Sequence, residues 1–155
     1  MVAKRIAWGV TMLQTLMALV AASLFTGAAV YISVAEHPAR LGLADAPALA
    51  QWQPSYKRAV PMQAGLALLA GVLGLWGWAA GAGLLVLAGA LLIVAVVPFT
   101  FFVIMPTNKR MLAADPADAS PETRAMLVKW GGLHWVRNLL GLASAAAFAL
   151  ALAAA

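Results

Sequence analysis

Trp130, His134, Arg137 and Asn138 follow one another at i, i+4, i+7 and i+8. That spacing puts an indole, an imidazole, a guanidinium and an amide on one face of a helix. Gly141, at i+11, continues the stripe and lets a neighbouring helix come close beneath the polar groups. Imidazole titrates near neutral pH, which makes His134 the candidate base. Arg137, with Asn108 or Asn138, can donate hydrogen bonds to an oxyanion. Trp52, Trp130 and Phe102 can wall a flat apolar slot, with Tyr56 beside Trp52 one turn on. A base, an oxyanion stabiliser and such a slot are what proton abstraction from an acidic carbon requires. The competing reading is interfacial: Arg137 snorkels to headgroups and His134 caps a helix bundle.

Further candidates sit on other segments. Ser33 and His37 are one turn apart, with Glu36 adjacent and Pro38 expected to end the helix. Met105-Pro106-Thr107-Asn108-Lys109-Arg110 closes the third apolar stretch. Singly, each reads as interfacial anchoring; together they converge on one pocket mouth. The two histidines, His37 and His134, with Glu36, also admit a haem or copper site. Neighbouring helical residues point about 100° apart, so Glu36 and His37 share one metal only if the helix unwinds there. The chain has no cysteine, which removes thiol catalysis, Cys-ligated zinc and iron–sulfur clusters.

The elements that must position these residues follow from composition. Of 155 residues 65% are hydrophobic and 10% charged, where soluble chains carry about 25% charged. A soluble enzyme, a disordered tail and a disulfide scaffold are excluded. The net charge of +5 comes from ten scattered bases mixed with acids, so no basic stripe for nucleic acid forms. Charge-free stretches run over 6–35, 59–108 and 138–155, and a span needs about 20 apolar residues. The expectation is one all-α domain, 1–155: a four-helix transmembrane bundle, up-down, with spans near 6–35, 59–78, 83–105 and 133–155. Its two polar loops share one membrane face. The first apolar run is too long for a signal-peptide core and reads as a retained helix.

Local signals refine this. Gly77 to Gly83 is the expected turn between spans two and three, where glycine tolerates positive φ. Trp8, Trp76 and Trp78 then fall on one interface, and Trp52, Tyr56, Trp130 and Trp135 on the other, as aromatic belts. Ser23 with Gly27, and Ala70 with Gly74, have the four-residue spacing of close helix approach. Pro98 should kink the third span. Asp115 to Pro121 reads as irregular, with Ser120 capping a helix that runs past Gly131-Gly132, where it can bend. The flanks of the first helix favour cytoplasmic termini in a bacterial inner (plasma) membrane, although the polar loops hold every Lys and Arg except Lys4 and Arg5.

Gly27 through Pro38, Trp52 and Tyr56, Pro106-Thr107-Asn108-Lys109-Arg110, and Trp130 with His134-x-x-Arg137-Asn138 together resemble the anthrone oxygenase-like family of small four-helix membrane proteins. The likeness runs over almost the whole chain. It implies cofactor-independent oxidation of polyketide anthrones by dioxygen, with membrane lipid, an apolar aromatic small molecule and dioxygen as partners. Two other readings stay open. One is a non-catalytic scaffold, carrier or lipid-binding membrane protein; the other is a haem or copper protein using His37 and His134. The oxygenase reading requires His134, Arg137 and Asn138 to face inward, within reach of the end of helix 1 and of Asn108.

Overall fold

The computed structural model describes the backbone of residues 2–155 and the side chains from Gly9 onward. Among the described residues there are helices and turns and no strand. Helix α1 (Val2–Tyr31) continues through a π-helical turn, Ile32–Glu36, into α2 (His37–Leu41). Helix α3 (Asp45–Ala79) is unbroken; α4 (Leu84–Phe99) passes through a second π-turn, Thr100–Ile104, into α5 (Met105–Ala113). A short 3-10 turn (Pro116–Asp118) precedes α6 (Pro121–Ala153). Four rods, Gly9–Leu41, Asp45–Ala79, Leu84–Ala113 and Pro121–Ala153, are long and apolar enough to cross a membrane. Helix α1 packs on α3 and α6, and α4 on the same two, while the diagonal pairs barely meet. That is an up-down four-helix bundle. The reversal between α3 and α4 uses Gly81 (φ 102°) and Gly83 (φ 88°), in a backbone region other residues avoid.

The helices reach well beyond the expected spans, because the two polar segments are mostly helical. At 35 residues, α3 is roughly 50 Å long at about 1.5 Å per residue, against a hydrocarbon core of about 30 Å. The extensions stay helical because they carry their own core: Ala48, Leu49, Trp52, Ile104, Met111, Leu127 and Trp130 pack together. In the more apolar part of the bundle the inside is made of small residues, Ala18, Ala22, Ala29, Ala67, Ala70 and Ala90 around Phe25 and Phe148. Lipid is as apolar as leucine, so association there rests on close van der Waals approach. Salt bridges tie the extensions together: Arg124 pairs with Asp45 and donates to the Leu41 and Leu43 carbonyls, stapling α6 to the α2–α3 turn.

Several sequence expectations hold and several are corrected. Gly74 and Gly77 do face the bundle; a Cβ on Gly74 would lie 2.8 Å from Phe148. Gly141 lies against Thr26 and Phe25, as its place on the stripe requires. Ser23 and Gly27 do not pack: both are exposed, and Gly27 faces open space. The packing stripe of α1 runs instead through Ala22, Phe25 and Ala29. The belt assignment also changes. Trp76, Trp78 and Trp135 are exposed, but Trp52 and Trp130 are 1% and 5% exposed and belong to the core. Trp8 lies outside the residues whose side chains are described. Helix α6 runs through Gly131-Gly132 without a break. Ser120 opens it in a capping box, its N–H donating to Thr123 Oγ1 at 3.2 Å.

The two π-turns have one feature in common. His37 N–H bonds to Ile32 O and Met105 N–H to Thr100 O, each five residues back, and each is followed directly by proline, Pro38 and Pro106. A proline in an α-helix has no N–H and collides with the carbonyl four residues before it; a wider turn moves that carbonyl away. Pro38 therefore does not end the rod. The wider turn also preserves the inward face. Ala29, Ser33 and His37 are buried at two successive steps of four, which in a pure α-helix would drift about 80°. Asn108 is buried two such steps after Thr100, whose hydroxyl is itself buried. Widened turns of this kind occur often at functional sites.

Candidate functional site

The π-turn of the α1–α2 rod presents Ser33 and His37 to the stripe on α6. Ser33 Oγ lies 3.0 Å from His134 Nδ1 and accepts a 2.8 Å hydrogen bond from Asn138 Nδ2. His134 and Asn138 are 2% and 0% exposed, far from the lipid-facing alternative. Arg137 is buried too; its Nη2 donates to Gln63 Oε1 at 2.6 Å, and its guanidinium lies 5.5 Å over the Phe25 ring. Helix α3 supplies Trp52 stacked on Tyr56, ring centroids 4.8 Å apart, and Asn108 of α5 donates to Tyr56 Oη at 2.9 Å. Trp130 meets Trp52 edge-on at 5.8 Å and lies 4.8 Å from His134 and 5.2 Å from His37.

A second layer closes the site outward. Arg40, 2% exposed, bonds to Glu36 at 2.5 Å, to His37 Nδ1 at 3.2 Å and to Gln51, and lies 6.0 Å over Trp130. Gln51 in turn donates to Glu36 and Ser55. Glu36 is therefore engaged with Arg40 rather than sharing a ligand set with His37. Among the described residues no group of three or more His, Cys, Asp and Glu is placed to hold a metal ion. The two-histidine, one-carboxylate set that the sequence admitted as an alternative is not among such groups.

The structure thus brings together His134, Arg137, Asn138, Ser33, His37, Trp52, Tyr56, Asn108 and Trp130. It leaves out Phe102, which is 73% exposed and packs only against Phe101 in a ring contact. Thr100 and Ile104 flank the inward face of the π-turn; Phe102, two residues from each, points roughly 200° away. Sequence reasoning missed Gln63, Arg40 and Gln51. Their signals were present: Gln63 is seven residues after Tyr56 on the same helical face, and Arg40 stands at i+4 from Glu36.

A chamber of about 30 Å³ lies among Trp52, Tyr56, Gln63, Trp130, His134 and Arg137. It has room for a molecule the size of water or dioxygen. Beside it, sharing Tyr56, Val60, Gln63 and Arg137 as a wall, runs a cleft of about 200 Å³ between α3 and α4. A larger cavity of about 460 Å³ lies at the opposite end of the bundle, by Thr11, Thr15 and the Gly81–Gly83 turn. Its polar side chains are the hydroxyls of Thr11 and Thr15, whereas His134, Arg137 and Gln63 border the chamber.

Fold and site together define an integral, multi-pass membrane protein whose four helices enclose a buried histidine–arginine–amide cluster walled by aromatic rings. The model of the family described as anthrone oxygenase matches residues 52–147, more than half of the chain, and the protein belongs to that family. The match takes in Trp52, Tyr56, Asn108 and the α6 stripe and leaves out Ser33 and His37. An anthrone oxygenase of Aspergillus fumigatus is 42% identical over 65 residues, 40% of this chain and 40% of that protein. One of Claviceps purpurea is 34% identical over 71 residues, 41% of each. The chain thus matches about two fifths of the length of these curated relatives. Both of these relatives are fungal. No solved structure matches.

Proposed function

We propose that the protein oxidises an anthrone-like aromatic to the corresponding quinone with dioxygen and without a cofactor, using His134 as base. The observation that carries this reading is the buried His134–Ser33–Asn138 relay beside Arg137. For His134 to act as base, its Nδ1–H donates to Ser33 Oγ, leaving the Nε2 lone pair for the substrate. Asn138, bonded to the same oxygen, fixes Ser33 and through it the ring.

His134 takes a proton from the methylene carbon, and the electron pair moves into the ring carbonyl, whose oxygen becomes an enolate stabilised by Arg137. The electron-rich enolate passes one electron to dioxygen, and the radical pair joins in a C–O bond. The peroxide takes up the proton held by His134. Loss of the second proton from the same carbon breaks the O–O bond, leaving a carbonyl and releasing water. One oxygen atom enters the product and one leaves as water; all four electrons come from the methylene, so no external reductant is needed.

The test is oxygen consumption by purified protein given an anthrone, with isotopically labelled dioxygen. The expected result is one dioxygen consumed per anthrone and one labelled atom in the new carbonyl. Oxidation no faster than in protein-free micelles would overturn the reading in favour of a non-catalytic carrier.

A further inference from the structure

The cleft between α3 and α4 has two unlike ends. Its outer rim is Val60, Val97 and Phe101, which are 40%, 44% and 62% exposed apolar side chains on a face of the bundle suited to lipid. Its inner wall carries Gln63, Thr100 and Arg137. On these, Gln63 Nε2, Thr100 Oγ1 and Arg137 Nε are buried with no hydrogen-bond partner. Gln63 is 3% exposed, and its amide is oriented: Oε1 accepts from Arg137, so Nε2 is the donor left over. A buried donor without a partner is costly, and the three residues that carry these donors line one cleft. All three can donate and one is cationic. The complementary ligand presents an acceptor oxygen, carbonyl or enolate, on an otherwise apolar body.

We infer that this cleft is the seat of the aromatic substrate, reached sideways from the bilayer between α3 and α4, with an oxygen substituent at the edge of the ring system received by Gln63, Thr100 and Arg137. The identity of the occupant rests on the oxygenase reading; the site itself rests on the donors and the rim. The division of space supports it. The chamber of about 30 Å³ is too small for a fused-ring molecule. The cleft of about 200 Å³ is open along its lipid side and does not confine one. Tyr56, Val60, Gln63 and Arg137 form the shared wall, so a ring system in the cleft lies next to the chamber where dioxygen fits. Thr100 is thereby a specificity residue: it selects oxygenated rings over hydrocarbon.

The chain has no cysteine, so Val60→Cys carries a single thiol at the rim, and Val72→Cys, at an exposed position away from the cleft, carries one as control. Binding of a hydroxyanthraquinone, which is already oxidised, is read by quenching of tryptophan fluorescence. Alkylating Val60→Cys with a bulky lipid-soluble maleimide should weaken binding at least tenfold, and alkylating Val72→Cys should not. Thr100→Val should weaken it about threefold to tenfold with the thermal midpoint held. Equal affinity in alkylated Val60→Cys and wild type, or no binding to wild type, overturns the seat. Because the probe does not react, binding blocked at Val60 without any anthrone turnover would sink the oxygenase reading and leave the site standing.

Discussion

At the scale of single residues the cluster makes two sharp demands. If His134 is the base, His134→Gln should lower turnover by about 10²–10⁴, the usual contribution of a positioned base, while quinone binding stays close to wild type. Arg137→Lys should also impair turnover, because an ammonium cannot reproduce the planar fork that reaches Gln63. Steady-state oxygen uptake beside the binding titration checks both; full activity in His134→Gln would remove the base. The second demand concerns the glycine pair. A Cβ on Gly131 would lie 2.5 Å from His37 Nε2, whereas one on Gly132 meets nothing within 4 Å. Gly131→Ala should therefore displace His37 from Trp130 and cost about 1–3 kcal/mol as overpacking, and Gly132→Ala should stay within about 0.5 kcal/mol. Thermal unfolding in detergent separates the two. That asymmetry was invisible in the sequence, where the pair reads only as a flexible point.

At the scale of elements the site depends on two π-turns that each run into an X-Pro pair. Pro106→Ala restores a backbone N–H and removes the clash, so the Thr100–Ile104 turn should relax toward regular α-helix. Asn108 would then rotate away from Tyr56, losing a hydrogen bond of 2.9 Å. With a net value of about 0.5–1.5 kcal/mol for such a bond, turnover should fall roughly twofold to tenfold with unchanged circular dichroism. Unaltered activity would show that the π-turn does not position Asn108. The existence of the four helices was legible in the charge-free stretches, but their ends were not. Charged residues at 36–58 and 109–129 look like loops until Trp52, Met111, Leu127 and Trp130 are seen sharing a core. Burial of that core outweighs the polarity of the outer faces.

At the scale of the molecule, the up-down order puts the α3–α4 hairpin on one side and the α2–α3 and α5–α6 connections on the other. In cells, Ala117→Cys should react with an impermeant thiol reagent from outside, and Ala80→Cys only after permeabilisation, if the termini are cytoplasmic. The reverse pattern would invert the orientation; labelling of both from one side would break the bundle topology. Composition alone settled that the chain lives in a membrane, because 65% hydrophobic residues leave no soluble solution. Periodicity alone settled that Trp130, His134, Arg137 and Asn138 share a face, since helix geometry fixes which residues line up. Which way that face points, and what meets it, came only from the tertiary structure. Snorkelling and burial fit the same stripe equally well. The choice fell to Ser33, Gln63 and Tyr56, which lie on other helices and satisfy buried polar groups only once the four helices close. Sequence spacing carries no information about partners 52, 74 or 101 residues away, and it is those partners that decide whether an arginine is an anchor or part of a site.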